Sequence, residues 1–193
     1  MDSKIIILSA PSGSGKTTIA AEILNDPALK CSFSVSATSR TPRAHETNGM
    51  HYYFLSPEQF RQYISEDKFV EWEEVYQDQH YGTLHSEIEK LTSQGQNIVF
   101  DVDVKGGVRL KNIFGKQALS IFIMPPSVEE LQNRLKKRNT ESEETLKKRI
   151  SRANEELMFA DKFDVVVVND DLQKAIEEVR THIAKFTTQT DEK

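Results

Sequence analysis

Ile5-Ile6-Ile7-Leu8-Ser9-Ala10-Pro11-Ser12-Gly13-Ser14-Gly15-Lys16-Thr17-Thr18 is an apolar, β-branched run that breaks into a glycine- and serine-rich turn and leads into the helix-forming residues 18–24. It reads as strand, turn and helix. Against the pattern G-x-x-x-x-G-K-[ST] it agrees at Gly15, Lys16 and Thr17 and carries Ala10 at the first glycine position. In such a turn Gly13 and Gly15 let the backbone curl. The N–H groups from Ser12 and Ser14 through Thr17 and Thr18 then point at phosphate oxygens, and the helix N-terminus adds its positive dipole end. Lys16 would reach the β and γ phosphates of a nucleoside triphosphate, and the Thr17 hydroxyl would ligate Mg²⁺. The plainer reading is a turn that merely joins a strand to a helix, and the lysine, the hydroxyl and the flanking elements together argue against it. Ala10 matters only if its position needs a positive φ, where alanine would be strained.

Further apolar runs at 98–102, 119–124 and 165–168 are rich in β-branched residues and end in polar or glycine-containing turns. Continuous rather than alternating hydrophobicity predicts parallel strands buried on both faces. Helices fall between them: Ser86 with Glu89 and Ser127 with Glu130 have capping-box spacing. The expected fold class is α/β, a three-layer α/β/α core of the P-loop NTPase kind around a parallel sheet.

Two segments interrupt that alternation. Residues 33–82 predict a small mixed α/β lobe, with strands at 33–36, 51–55 and 69–76 and a helix opened by Ser56 and Pro57. Residues 127–159 are charged and helix-forming, and predict a helix, a loop and a helix too polar to join the core. The expectation is one domain over 1–186, with core segments 1–32, 83–126 and 160–186, and a polar tail at 187–193. The 193 residues suit one such unit. With 25 Lys and Arg against 30 Asp and Glu, the net charge of −5 gives no basic field for nucleic acid. No run approaches the roughly 20 apolar residues that span a membrane. The first apolar run is too short for a secretion signal, so a cytoplasmic protein is expected. The single cysteine, Cys31, can make no intrachain disulfide.

Arg40 and Arg43, either side of Pro42, could clamp a phosphate with two guanidinium forks, or form a solvated basic turn. Tyr52 and Tyr81 could add phenolic donors or simply pack. Asp101 and Asp103 stand at the C-terminal end of a predicted strand, where open α/β sheets place ligands. Either could act on Mg²⁺ through water or bind an acceptor directly.

Taken together, these blocks resemble the guanylate kinases, which move the γ-phosphoryl of ATP onto GMP. The resemblance rests on the glycine-rich loop, on 33–36 with 38–43, on Asn48-Gly49 with Tyr52 and Phe54, on 69–72, on Tyr81-Gly82-Thr83, on Asp101, Asp103 and Gly106, on Arg134-Leu135 through 138–141, and on 169–171, in family order. Lys105 departs from the glutamine found in many relatives. The resemblance implies that Arg40, Arg43, Tyr52 and Tyr81 hold the GMP phosphate, that Ser36, Glu71 and Thr83 read guanine, and that Asp101 contacts GMP with Asp103 in support. It implies a helical lid closing over ATP, with Arg138 and Arg149 on the transferring phosphoryl and Arg134 toward the donor nucleotide. Asn169 and Asp170 are implied contacts to adenine, with Asp171 a candidate cap for the last helix. Lys16, Arg43, Arg138 and Arg149 are the implied catalytic set, Mg²⁺ the implied cofactor, and ATP and GMP the implied partners. Two other readings share some of these features: a non-catalytic interaction module, and a related kinase for a phosphorylated sugar.

Overall fold

The computed structural model describes residues 3–137 and 143–188, and their side chains except those of 75, 76, 137 and 143–147. In chain order the elements are β1 (Ile5–Ser9), α1 (Lys16–Leu24), β2 (Cys31–Phe33), β3 (Ala37–Thr38), β4 (Tyr53–Phe54), α2 (Pro57–Ser65), β5 (Phe69–Tyr76), β6 (Gln79–Leu84), α3 (His85–Ser93), β7 (Asn97–Val102), α4 (Val104–Phe114), β8 (Ala118–Met124), α5 (Val128–Lys137), α6 (Glu143–Leu157), β9 (Val165–Val168) and α7 (Leu172–Thr188).

Five strands form a parallel sheet in the order β2-β7-β1-β8-β9. Because side chains alternate across a strand, β1 divides its apolar run between two cores. Ile6 and Leu8 pack with Ile19 and Ile23 of α1 and Ile176 and Val179 of α7, while Ile5 and Ile7 pack with Leu91 of α3 and Leu110 of α4. Both faces are covered, as the continuous hydrophobicity of the strands requires.

A second sheet, β4-β3-β6-β5, mixes parallel and antiparallel pairs and packs against α2 through Phe60, Phe69 and Leu84. Of the strand expected at 33–36 only Phe33 is in a strand, the end of β2 in the first sheet; 34–36 cross between the sheets and β3 starts the second at Ala37. Between them, buried Glu87 accepts a hydrogen bond from the Val35 N–H at 3.3 Å and from the Tyr53 hydroxyl at 2.6 Å, tying the crossing point to α3.

Ser56 and Gln59 form the reciprocal capping box of α2. Ser127 accepts from the Glu130 N–H at 3.1 Å, and Asp171 from the Lys174 N–H at 3.0 Å. Ser86 does not cap: β6 runs straight into α3, whose N-cap is Leu84, so Ser86 already lies in the first turn. The charged segment also has a small core of its own, Leu131, Leu135 and Ala153, which its polar composition hides. At the other end α7 takes in Thr187 and Thr188, which were expected in the tail. Among the described residues no helix is long and apolar enough to cross a membrane.

Candidate active site

At the C-terminal edge of the parallel sheet, β1 opens into the turn before α1. Gly13 at φ 96° and Gly15 at φ 91° take the positive φ that the curl demands. Ala10 is not among the residues at positive φ, so it fits without strain. A Cβ on Gly15 would lie 2.3 Å from Asn169 Nδ2, the group that donates to the Ser14 carbonyl at 2.7 Å. A Cβ on Gly13 would lie 3.2 Å from both Leu131 and Leu135, so α5 packs directly on the loop.

The loop lines a cavity of about 450 Å³ together with Asp101, Asp103 and Arg149. Ser12 through Thr18 all contribute to it, with Thr17 and Thr18 exposed. Lys16 pairs with Asp101 and donates to the Val102 carbonyl at 3.1 Å. Burial pulls the Lys16 ammonium down to about 8, against the opposing fields of Asp103 and Glu156. Arg149 donates to Ser12 Oγ at 2.7 Å. Arg134 pairs with Glu130 at 2.9 Å and donates to the Asn169 carbonyl at 3.2 Å, so Arg134, Asn169 and Ser14 form one chain of contacts. Asp170 is exposed and lines no part of this cavity. Arg138 lies outside the described residues.

A second cavity, of about 340 Å³, is lined by Ser36, Tyr52, Glu71, Tyr81 and Asp101, and meets the first at Asp101, Val102 and Asp103. Glu71 accepts from the buried Thr83 hydroxyl at 3.0 Å. Burial pushes the Glu71 carboxyl up from its ordinary range, with Thr83 and Arg109 opposing. Arg40 makes a two-pronged contact to Glu46 at 2.6 and 2.7 Å, donates to the Tyr81 hydroxyl at 3.2 Å and lies 5.0 Å from the centre of the Tyr52 ring. The Arg40 fork holds the Glu46 carboxyl down to about 2. Arg43 is exposed and lines an adjoining hollow with Arg40 and Gln79, not the cavity of Glu71. The structure therefore brings together all the expected acceptor residues except Arg43, whose backbone N–H alone joins the group by donating to Glu46 at 2.7 Å.

Asp103 caps α4 through the Gly106 N–H at 2.7 Å and meets Arg152 at 3.3 Å. Arg152 also pairs with Glu156, at 2.8 Å. Four residues here have no place in the sequence reading of the site: Glu46, Glu73, Arg109 and Arg152. Arg109 left a faint signal, since it stands three residues after Gly106 on α4 and so beside it.

Over residues 2–186 the chain matches the family model described as Guanylate kinase. The chain belongs to the guanylate kinase family. It is 52% identical over 183 residues to the guanylate kinase of Porphyromonas gingivalis, covering 95% of this chain and 97% of the relative. It is 50% identical over 185 residues to that of Salinibacter ruber, covering 96% and 97%. The crystal structure of guanylate kinase from Anaplasma phagocytophilum is similar with a TM-score of 0.74 and 27% identity, over 98% of this chain and 88% of that one. The fold is thus that of the guanylate kinases, a P-loop NTPase fold.

Proposed function

We infer that the protein transfers the γ-phosphoryl of ATP to GMP, giving ADP and GDP. The observation that carries this reading is the meeting of two cavities at 101–103, one walled by a phosphate loop and the other by a buried carboxylate bonded to a buried hydroxyl. Guanine presents N1–H and N2–H donors beside an O6 acceptor. Glu71, with Thr83 holding one oxygen and Ser36 on the same wall, suits that edge. Adenine has no proton on N1, and a carboxylate facing it would lose a partner it had given up water to meet.

The transferred group passes in line from the ATP β,γ-bridging oxygen, whose bond to phosphorus breaks, to an oxygen of the GMP phosphate, which needs no base to deprotonate it. The chain's part is positioning and charge. Lys16 and the loop N–H groups hold the donor phosphates, Arg149 sits over the loop at Ser12, and Arg40 with Tyr81 and Tyr52 holds the acceptor phosphate. Arg43 and Arg138 would complete the set as the lobe 33–82 and the lid 127–159 draw toward the loop. Among the described residues no group of three or more His, Cys, Asp or Glu is placed to hold a metal. Asp101 is paired with Lys16, and Asp103 with the α4 N-terminus. The exposed Thr17 hydroxyl therefore fits a Mg²⁺ held otherwise by phosphates and water, an ion that would neutralise charge on the transferring group.

An interaction module would have no use for this complete loop, and a sugar acceptor has no edge for Glu71 to read. A coupled assay for ADP, with ATP and Mg²⁺ against GMP, AMP, UMP, CMP and a sugar phosphate, is the test. Turnover with GMP alone is expected; equal turnover with the sugar phosphate, or none with any acceptor, overturns the reading.

A further inference from the structure

The acceptor cavity contains a cation outside the expected set. Arg109 reaches from α4 to β5, where it pairs with Glu73 and stands 3.9 Å from Glu71 Oε2. Glu71 and Glu73 are two apart on one strand and so share a face. Arg109, Glu71 and Glu73 line the same cavity. Arg109 Nε is buried without a hydrogen-bond partner, an arrangement native structures keep only where something offsets it.

We propose that Arg109 is a positioning and specificity-determining residue, which keeps Glu71 an anionic acceptor aimed at the guanine edge and so sets the preference for guanine over adenine nucleotides. The proposal rests on the assignment of Glu71 to guanine. Glu71 can accept from N1–H and N2–H together only as a carboxylate. Burial favours its neutral form, and the charges of Glu73 on β5 and Asp103 at the start of α4 act in the same direction. Thr83 on β6 and Arg109 act against them, while Ser36, Tyr52, Tyr81 and Asp101 also line the wall. Among the described residues Arg109 is the cation that pairs with Glu71, and its charge is permanent. It also neutralises Glu73, which would otherwise repel Glu71. A protonated Glu71 would present a hydroxyl donor, the group adenine N1 can accept. Losing Arg109 thus weakens GMP and helps AMP.

The test is steady-state kinetics from pH 5.5 to 8.5 with GMP and AMP for wild type, Arg109→Met, Arg109→Lys, Glu73→Gln and Glu71→Ala. The phosphate of GMP titrates near about 6 for every variant alike, so the reading is the displacement between proteins. For Arg109→Met the acid limb of kcat/KM for GMP should move up by about one pH unit, the low end of the effect of a neighbouring opposite charge. Near pH 6 the GMP-to-AMP preference should fall about tenfold, one pH unit's worth. KM for ATP and the melting temperature should hold. Arg109→Lys should restore most of the shift, and Glu73→Gln should move the limb the other way. Coincident acid limbs, or a parallel loss of affinity for ATP and GMP, overturn the proposal. Unchanged GMP kinetics in Glu71→Ala would instead remove the guanine assignment beneath it.

Discussion

Gly15→Ala tests whether the phosphate loop is held from outside as well as by its own turn. At φ 91° an L-residue costs about 1–2 kcal/mol. The new Cβ would also stand 2.3 Å from Asn169 Nδ2, closer than real contacts come, so the amide must withdraw. That breaks its 2.7 Å donation to the Ser14 carbonyl, and stranding a buried acceptor costs about 1–3 kcal/mol. The sum is about 2–5 kcal/mol, or roughly 5–15 °C in melting temperature for a domain of this size. A double-mutant cycle separates the two parts. Asn169→Ala alone should cost about 1–3 kcal/mol, yet added to Gly15→Ala it should cost almost nothing, because the bond is already gone. Thermal and urea unfolding of the four proteins, without nucleotide, measure this. Additive costs within about 0.5 kcal/mol, or a Gly15→Ala protein that melts within about 2 °C of wild type, would refute the argument from the Asn169 contact.

Arg40→Lys loses the fork to Glu46, the Tyr81 bond and the ring contact with Tyr52; at about 1.5–3 kcal/mol for a charged hydrogen bond, KM for GMP should rise at least tenfold with KM for ATP unchanged, and a rise under twofold counts against Arg40 as the phosphate anchor. Gly107→Ala gains about 1 kcal/mol of helix propensity but places its Cβ 2.3 Å from buried Ser9 Oγ and 3.0 Å from the Phe163 ring, so urea midpoints should show a net loss of about 1–2 kcal/mol. Burial pushes the Cys31 thiol up to about 12, from an ordinary 9.0. The folded protein therefore binds the proton more tightly, and this contribution to stability is present below pH 9.0 and lost as pH rises toward about 12. At pH 8 native Cys31 should react with a thiol reagent about a thousandfold more slowly than the unfolded chain, in proportion to its thiolate; equal rates would show the thiol to be exposed.

The core was legible because its signals are local. Ile5 through Leu8 carry both the strand and, by alternation, its two faces, and Gly13 and Gly15 announce the curl between strand and helix. The lobe was less so. The crossing at 34–36 looks like continuous strand in sequence, and only the distant Glu87 on α3 ends it by taking the Val35 N–H. Ser86 had the spacing of a cap, but nothing in the spacing says that β6 enters the helix without a break. Residues 127–159 look wholly solvated by composition, while three apolar residues, Leu131, Leu135 and Ala153, form a small core there and the two leucines set α5 on Gly13.

What the motifs do not carry is the pairing of the site's charges with one another. Lys16 with Asp101, Arg40 with Glu46, Arg134 with Glu130 and Arg109 with Glu73 join residues whose separations range from four to 85. Each of these cations has a carboxylate partner in the nucleotide-free chain, which keeps it oriented and spares it an unpaired burial. Lys16 and Arg40 are read as phosphate ligands and Arg134 as a contact toward the donor nucleotide, so part of each nucleotide contact replaces an internal one and only the difference appears as affinity. Arg109 is the exception. Its partners Glu73 and Glu71 belong to the wall we propose reads the base, and on that reading GMP binding leaves its pairs in place. A cation that keeps its partners through binding acts on selectivity rather than on grip, which is why base preference, and not phosphate affinity, is where its loss should register.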